Sequence, residues 1–224
     1  MTFDAKRAGV VIYDLTAVIQ QNRDYLSEID GATGDGDHGV NMSKGFTMCR
    51  DQLEGNVDTI GFADAVDALG YVLFSEIGGS MGPLYGTFFM EMAENVRGKE
   101  HISGEDFLAM LKAGLSGITS IVPTQVGDKT LLDVLIPSID AFESAYNAAR
   151  ALPTSQDAGD AFAPALNAMK ETARVSREAT KDMVAKVGRA SRLGERSRGF
   201  YDAGATSCAL ILASLADSIT LLLN

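Results

Sequence analysis

Asp30, Asp35 and Asp37 lie close together in the stretch IDGATGDGDHGVNMSKGF, positions 29–46. Carboxylates so crowded repel one another unless a cation sits among them. Gly34, Gly36 and Gly39 are interleaved with them, and glycine permits the tight turns that would bring the oxygens together. Hard divalent cations such as Mg²⁺ take oxygen ligands and keep waters or phosphate oxygens in the rest of their shell. The three aspartates therefore make a credible, incomplete metal shell. The order is not that of an EF-hand, whose twelfth position is Glu: that position holds Asn41 counted from Asp30 and Phe46 counted from Asp35. A solvated Asx/Gly turn between helices is the alternative, and His38 alone does not decide between the two.

Three further motifs point the same way. EIGGSMGPLYGTFF at 76–89 places Gly78, Gly79, Ser80 and Gly82 before an apolar run. Such a helix start presents backbone N–H groups and a positive dipole end to an anion, although no Walker lysine follows and a close helix crossing needs the same glycines. VGDKTLLD at 126–133 reads as a helix start with Asp128 as N-cap and Lys129 as an ordinary solvated residue. KVGRASRLGERSRGFYDAGATSCAL at 186–210 carries Gly188, Arg189 and further arginines, then Asp202 and Gly204 ahead of another apolar run. Arginine matches phosphate geometry bidentately; a soluble polar loop is the plain alternative. Together, an acidic glycine loop, a glycine-rich helix start and a basic loop are the parts of a metal-bridged nucleotide site. Phosphoryl transfer asks of protein chiefly positioning and charge neutralisation.

The elements that must carry these motifs are helical. Apolar residues recur at helical spacing over about 4–28, 39–54, 58–77, 80–97, 103–121, 128–149, 159–186 and 203–223, and alternating strand patterns are scarce. Ser103 with Asp106 reads as a capped helix start. Pro137 and Pro164 should kink or bound their helices, and ALPTSQDAGD at 151–160 is the longest loop-like stretch. Eight helices with short links predict an all-α, single-domain antiparallel bundle or closed barrel over 1–224. Its loops alternate between two ends, so non-consecutive motifs can meet at one rim.

Charge and composition narrow the function. A net charge of −11 argues against broad nucleic-acid binding. Residues 170–198 run against the trend, with nine Lys and Arg against four acids, which suits an anion or an acidic partner. Cys49 and Cys208 are the only cysteines and fall in helical runs, so a disulfide framework is not expected. The N-terminus lacks the apolar core of a signal peptide. The apolar stretch 203–223 contains Ser207, Ser214, Asp217, Ser218 and Thr220, which fits a buried helix better than a membrane span. A cytoplasmic protein is expected.

GDGDHGVNMSKGF, GGSMGPLYGTFF, GDKTLLD and GRASRLGERSRGFYDAGATS resemble, in order and at similar spacing, the nucleotide-binding L subunit (DhaL, or Dak phosphatase-like domain) of dihydroxyacetone kinases. The resemblance runs from Asp30 to the last helix. It implies an eight-helix antiparallel barrel with two Mg²⁺ ions held by Asp30, Asp35 and Asp37, and ADP or ATP at one end. Carried over by motif, the nucleotide contacts are His38, Asn41, Gly79, Ser80, Leu131, Gly188, Arg189, Asp202 and Gly204, with Arg189 counted alongside the aspartates as catalytic. Leu131 stands where relatives often have another apolar residue such as Met, so it is expected only to pack on adenine. The resemblance further implies a separate K-type subunit that holds the short ketose, and Arg189–Arg198 is a candidate contact for it. A phosphotransferase-system protein or exchanging ATP could supply the phosphate, and a homodimer is possible. A non-catalytic regulatory module that docks on a partner is the other reading, and a fatty-acid kinase relative fits less well.

Overall fold

A computed structural model describes residues 1–56, 59–151 and 161–224. Most of the loop expected at 151–160, and the expected first residues of two helices at 58 and 159, fall outside the described residues.

Nine α-helices are present among them: α1 (Val10–Gln21), α2 (Arg23–Thr33), α3 (His38–Gln52), α4 (Phe62–Glu76), α5 (Met81–Val96), α6 (Gly104–Ile121), α7 (Leu132–Arg150), α8 (Phe162–Ala179) and α9 (Ala203–Leu222). Two three-residue strands, β1 (Thr2–Asp4) and β2 (His101–Ser103), pair antiparallel. The single run expected over 4–28 is thus a strand, a short 3-10 turn and two helices broken at Asn22. The run expected to reach 186 ends at Ala179, where Thr180–Asp182 tightens to a 3-10 turn.

Eight of the nine helices close a ring. α1 packs on α3, α3 on α4, and so on in chain order through α9, which returns to α1. α2 stands outside the ring against α3, α9 and α1. The expected eight-helix barrel is therefore present, with α2 added at one end. At that end four helices begin, α3, α5, α7 and α9, so their positive dipole ends converge there.

Glycine sets how closely neighbours approach. A Cβ on Gly70 would lie 2.9 Å from the Gly86 carbonyl, and one on Gly86 2.9 Å from that of Gly70, so α4 and α5 cross backbone to backbone. The other end of the barrel is shut by aromatic packing of Phe3, Phe62, Phe107, Phe142 and Phe162, with ring centroids 5.3 to 6.5 Å apart. Each fully buried Phe contributes about 1.5–3 kcal/mol over its exposed state, and Phe3 brings β1 into that cluster. α9 is long and apolar enough to cross a membrane, yet it packs against α1, α7 and α8 with most of its side chains buried.

Ser103 caps α6 in a full capping box with Asp106, as expected. Pro164 is the third residue of α8, where no helical bond is lost. Pro137 does not end its helix: α7 runs through it. Cys49 and Cys208 are buried free thiols.

Candidate functional site

The acidic loop is built by the end of α2 and the start of α3. Thr33 is the last residue of α2, and the Gly34 amide donates to the Asp30 carbonyl at 2.5 Å. Only Gly36 turns through positive φ, at 78°. Gly34 is extended and makes room for a side chain instead: a Cβ there would lie 2.6 Å from Asp30 Oδ1. Gly39 is helical and lets α3 pass close to α2, so the turning role expected of it is replaced by one in packing. Asp37 is the N-cap of α3 but spends no carboxylate oxygen on capping.

The outcome is a cluster. One carboxylate oxygen from each of Asp30, Asp35 and Asp37 lies within 4.8 Å of the others. Asp30 also accepts from the His38 amide at 3.3 Å. Three hard oxygen donors at this spacing fit Mg²⁺ or another hard divalent ion, with the remaining positions open to water or phosphate. Arg189 approaches from the opposite loop and pairs with Asp35.

His38 opens α3 with its ring turned inward. Its Nε2 meets Ser207 Oγ at 2.9 Å, and that hydroxyl lies 2.8 Å from Tyr85 Oη. Tyr85 also donates to the Gly204 carbonyl at 3.1 Å. Burial lowers His38 to about 4 against the opposing pull of Asp30, so the imidazole is neutral near pH 7. The chain α3–α9–α5 is thus tied by polar atoms beneath the cavity floor.

The glycine-rich start of α5 behaves as a cradle. Gly79 has φ 75°, and a Cβ on Gly82 would lie 2.0 Å from the Ile77 carbonyl. Ser80 occupies the N-cap without a side-chain capping bond. Leu131, buried at the N-cap of α7, forms an apolar wall with Leu84, Ile118, Val122 and Leu132. Gly188 turns with φ 68° ahead of Arg189. Asp202 caps α9, accepting from the Ala205 amide at 2.7 Å, and burial pushes its carboxyl up to about 6. A Cβ on Gly204 would meet Asp202 Oδ2 at 3.2 Å.

All twelve residues expected to hold metal or nucleotide, including Asn41 on α3, line one cavity of about 370 Å³. One wall is apolar, one end carries the carboxylates, and between them lie helix N-termini and Arg189. Such a shape suits a planar apolar group joined to a polyanion.

Two readings of the GDKT motif are corrected. Asp128 is not the cap of α7, which begins at Leu132; its carboxylate accepts from the Gln125 amide at 3.0 Å. Asp133 satisfies the turn, accepting from the Gly127 amide at 2.5 Å and the Thr130 amide at 2.6 Å. Lys129 is not solvated either: it is 2 % exposed and also lines the cavity. Tyr85 and Ser207 were missed, their only signal being polar groups inside apolar helical stripes. Arg192 and Arg196 lie exposed on the loop outside the cavity.

Comparisons with known proteins agree with this geometry. The family profile described as the DAK2 domain matches residues 32–217. The chain is 31% identical over 221 residues to a Listeria innocua protein named PEP-dependent dihydroxyacetone kinase 2, ADP-binding subunit DhaL, covering 98% of this chain and 97% of that one. It is 34% identical over 200 residues to the Escherichia coli protein named PEP-dependent dihydroxyacetone kinase, ADP-binding subunit DhaL, covering 89% and 90%. Among solved structures, the dihydroxyacetone kinase of C. freundii in complex with AMP-PNP and Mg²⁺ superposes with a TM-score of 0.67 at 21% identity, over 94% of this chain and 33% of that one, a likeness of fold. The chain belongs to the DAK2 domain family, which includes the DhaL subunits of dihydroxyacetone kinases.

Proposed function

We propose that the chain is the nucleotide-binding L subunit of a dihydroxyacetone-type kinase, a phosphotransferase that passes a phosphoryl group from an adenine nucleotide to a short ketose. The observation that carries this reading is the convergence of the three aspartates, the α5 N-terminus and Arg189 on one cavity, in a chain that matches ADP-binding subunits along nearly their whole length.

Asp30, Asp35 and Asp37 would hold Mg²⁺, two ions in our reading, which neutralises phosphate charge when bound. The chain's own groups do the rest. Amides at Gly79 and Ser80 and the α5 dipole receive phosphate oxygens, while His38 and Asn41 line the carboxylate end. Leu131, Gly188, Asp202 and Gly204 enclose the base and sugar of ADP or ATP. Arg189 reaches the carboxylate end, where it stabilises charge on the transferred group. The ketose is held by a separate K-type subunit that docks on the rim, with Arg192 and Arg196 as contacts. A phosphotransferase-system protein is a candidate phosphoryl donor, and homodimer formation is part of the same proposal. We read residues 1–224 as one nucleotide-binding domain, cytoplasmic, with neither nucleic acid nor membrane as partner.

Liquid chromatography and mass spectrometry of nucleotide released from the purified, denatured protein test this. Stoichiometric ADP supports a retained cofactor rephosphorylated in place. No released nucleotide, with stabilisation by added Mg-ATP, supports exchange. Absence of both signals, no released nucleotide and no stabilisation by Mg-ATP, would refute the reading.

A further inference from the structure

Lys129 is anomalous twice over. It is the one residue other than glycine with positive φ among the described residues, at 64°. Its side chain is buried, whereas lysine ordinarily leaves its amine in water. An L-residue persists in the left-handed region where its surroundings over-determine it.

Both anomalies end at the same place. Lys129 Nζ donates to the Ser197 carbonyl at 2.5 Å and to the Met183 carbonyl at 3.1 Å. These two carbonyls bracket the segment that carries Gly188 and Arg189. Asp128 adds to the attachment: its carbonyl accepts from the Lys186 amide at 3.1 Å, and its carboxylate lies 3.4 Å from Lys186 Nζ. Within the segment, Ser197 Oγ accepts from the Ala185 amide at 2.9 Å and donates to the Gly194 carbonyl at 2.7 Å.

The segment is also tied at its far end, where the Gly199 amide donates to the Lys181 carbonyl at 2.8 Å and Arg198 to the Asp182 carbonyl, but it has little apolar anchoring. From 184 to 199 only Ala185 and Ser197 are buried. Its 3-10 turns at 190–197 are interrupted at Gly194, where φ is 55° and ψ −130°. A loop with almost no apolar anchor takes its shape from polar contacts, and the Lys129 amine supplies one of the buried ones, to the Ser197 carbonyl, alongside the Ala185 amide to Ser197 Oγ.

We propose that Lys129 is a positioning residue of the phosphoryl-transfer site: by gripping the Met183 and Ser197 carbonyls it sets the loop that carries Gly188 and aims Arg189 at Asp35, and it acts on nucleotide through that loop, chiefly through Arg189. The inference rests on the nucleotide reading above, and it extends that reading to a residue outside the motif contacts.

The test is a double-mutant cycle in the full chain, read by calorimetric titration with Mg-ADP. Lys129→Met and Arg189→Ala are each expected to weaken binding about tenfold, and the double variant by far less than the product of the two. Losses that multiply would mean that Lys129 meets the nucleotide itself and would overturn the proposal, as would unchanged affinity in Lys129→Met. A second readout needs no nucleotide. Hydrogen exchange of amides 184–199 is expected to quicken about tenfold in Lys129→Met while α4, α5 and α6 keep wild-type rates; an unchanged loop overturns the clasp. If the wild-type chain fails to bind Mg-ADP, the functional reading falls while exchange still decides the clasp. If Lys129→Met does not fold, Lys129→Gln, which keeps a shorter donor, is carried through both readouts with the same criteria.

Discussion

Replacing Gly39 by Ala should cost more than its place in a helix suggests. A Cβ there would lie 1.9 Å from the Arg23 carbonyl oxygen, 2.7 Å from Ser27 Oγ and 2.8 Å from Ser27 N. Ordinary contact begins at 3.4 Å, so α2 must withdraw by about 1.5 Å. The obstacle is backbone, which cannot swing aside as a side chain can. Overpacking of this kind costs about 1–3 kcal/mol, and the intrinsic helix preference for Ala over Gly returns about 1 kcal/mol at most. With the steric cost at its upper end, the net loss is about 2 kcal/mol, or a fall in Tm of about 4–8 °C for a chain of this size. The shift also parts Asp30 on α2 from Asp37 and His38 at the start of α3, so stabilisation by Mg-ADP should shrink as well. Differential scanning calorimetry with and without Mg-ADP reads both effects. Gly78→Ala is the control: no atom lies within 4 Å of its Cβ, so its stability should stay within about 0.5 kcal/mol of wild type. A Gly39→Ala variant as stable as wild type would refute the close-crossing argument.

Tyr85→Phe removes the hydroxyl that bonds Gly204 O and Ser207 Oγ, and calorimetry should show a loss of about 1–2 kcal/mol. Ser103→Ala breaks the capping box of α6 and should cost about 1 kcal/mol by urea denaturation. Asp202 gives a pH signature. Its carboxyl sits at about 6 against an ordinary 3.8, so as pH rises the unfolded chain ionises first and stability is lost between those values. Asp202→Asn keeps an acceptor for the Ala205 amide and should match wild type near pH 4 while exceeding it above pH 6, by on the order of 1–3 kcal/mol. An equal difference at both pH values, measured by denaturant titration, would contradict the cause given for the shift.

The barrel was legible because its helices bury regular apolar stripes, and the site because glycine and aspartate are costly to crowd without a purpose. What escaped has physical reasons. The break at Asn22 is hidden because the apolar spacing continues across it, with Ile19 and Leu26 both fully buried. β1 and β2 are three residues each, too short for an alternating pattern to register. Asp128 resembles an N-cap in sequence, but the positive φ of Lys129 delays the helix until Leu132. Lys129 itself reads as a surface residue, because its partners are backbone carbonyls 54 and 68 positions away, which no side-chain pattern announces. Tyr85, Ser207 and His38 are likewise joined only by the closure of the ring.

The central claim is that the three aspartates hold a metal through which nucleotide binds. Thermal unfolding of wild type, Asp35→Asn and Asp37→Asn with Mg-ADP, and with ADP in excess chelator, tests it most directly. A ligand specific for the folded chain at a hundredfold excess over Kd stabilises by about 2.7 kcal/mol, or roughly 5–11 °C here. The expected result is that shift in wild type with Mg²⁺, and its loss in both variants and in chelator. An equal shift in both variants, or one that survives chelation, would contradict the metal assignment.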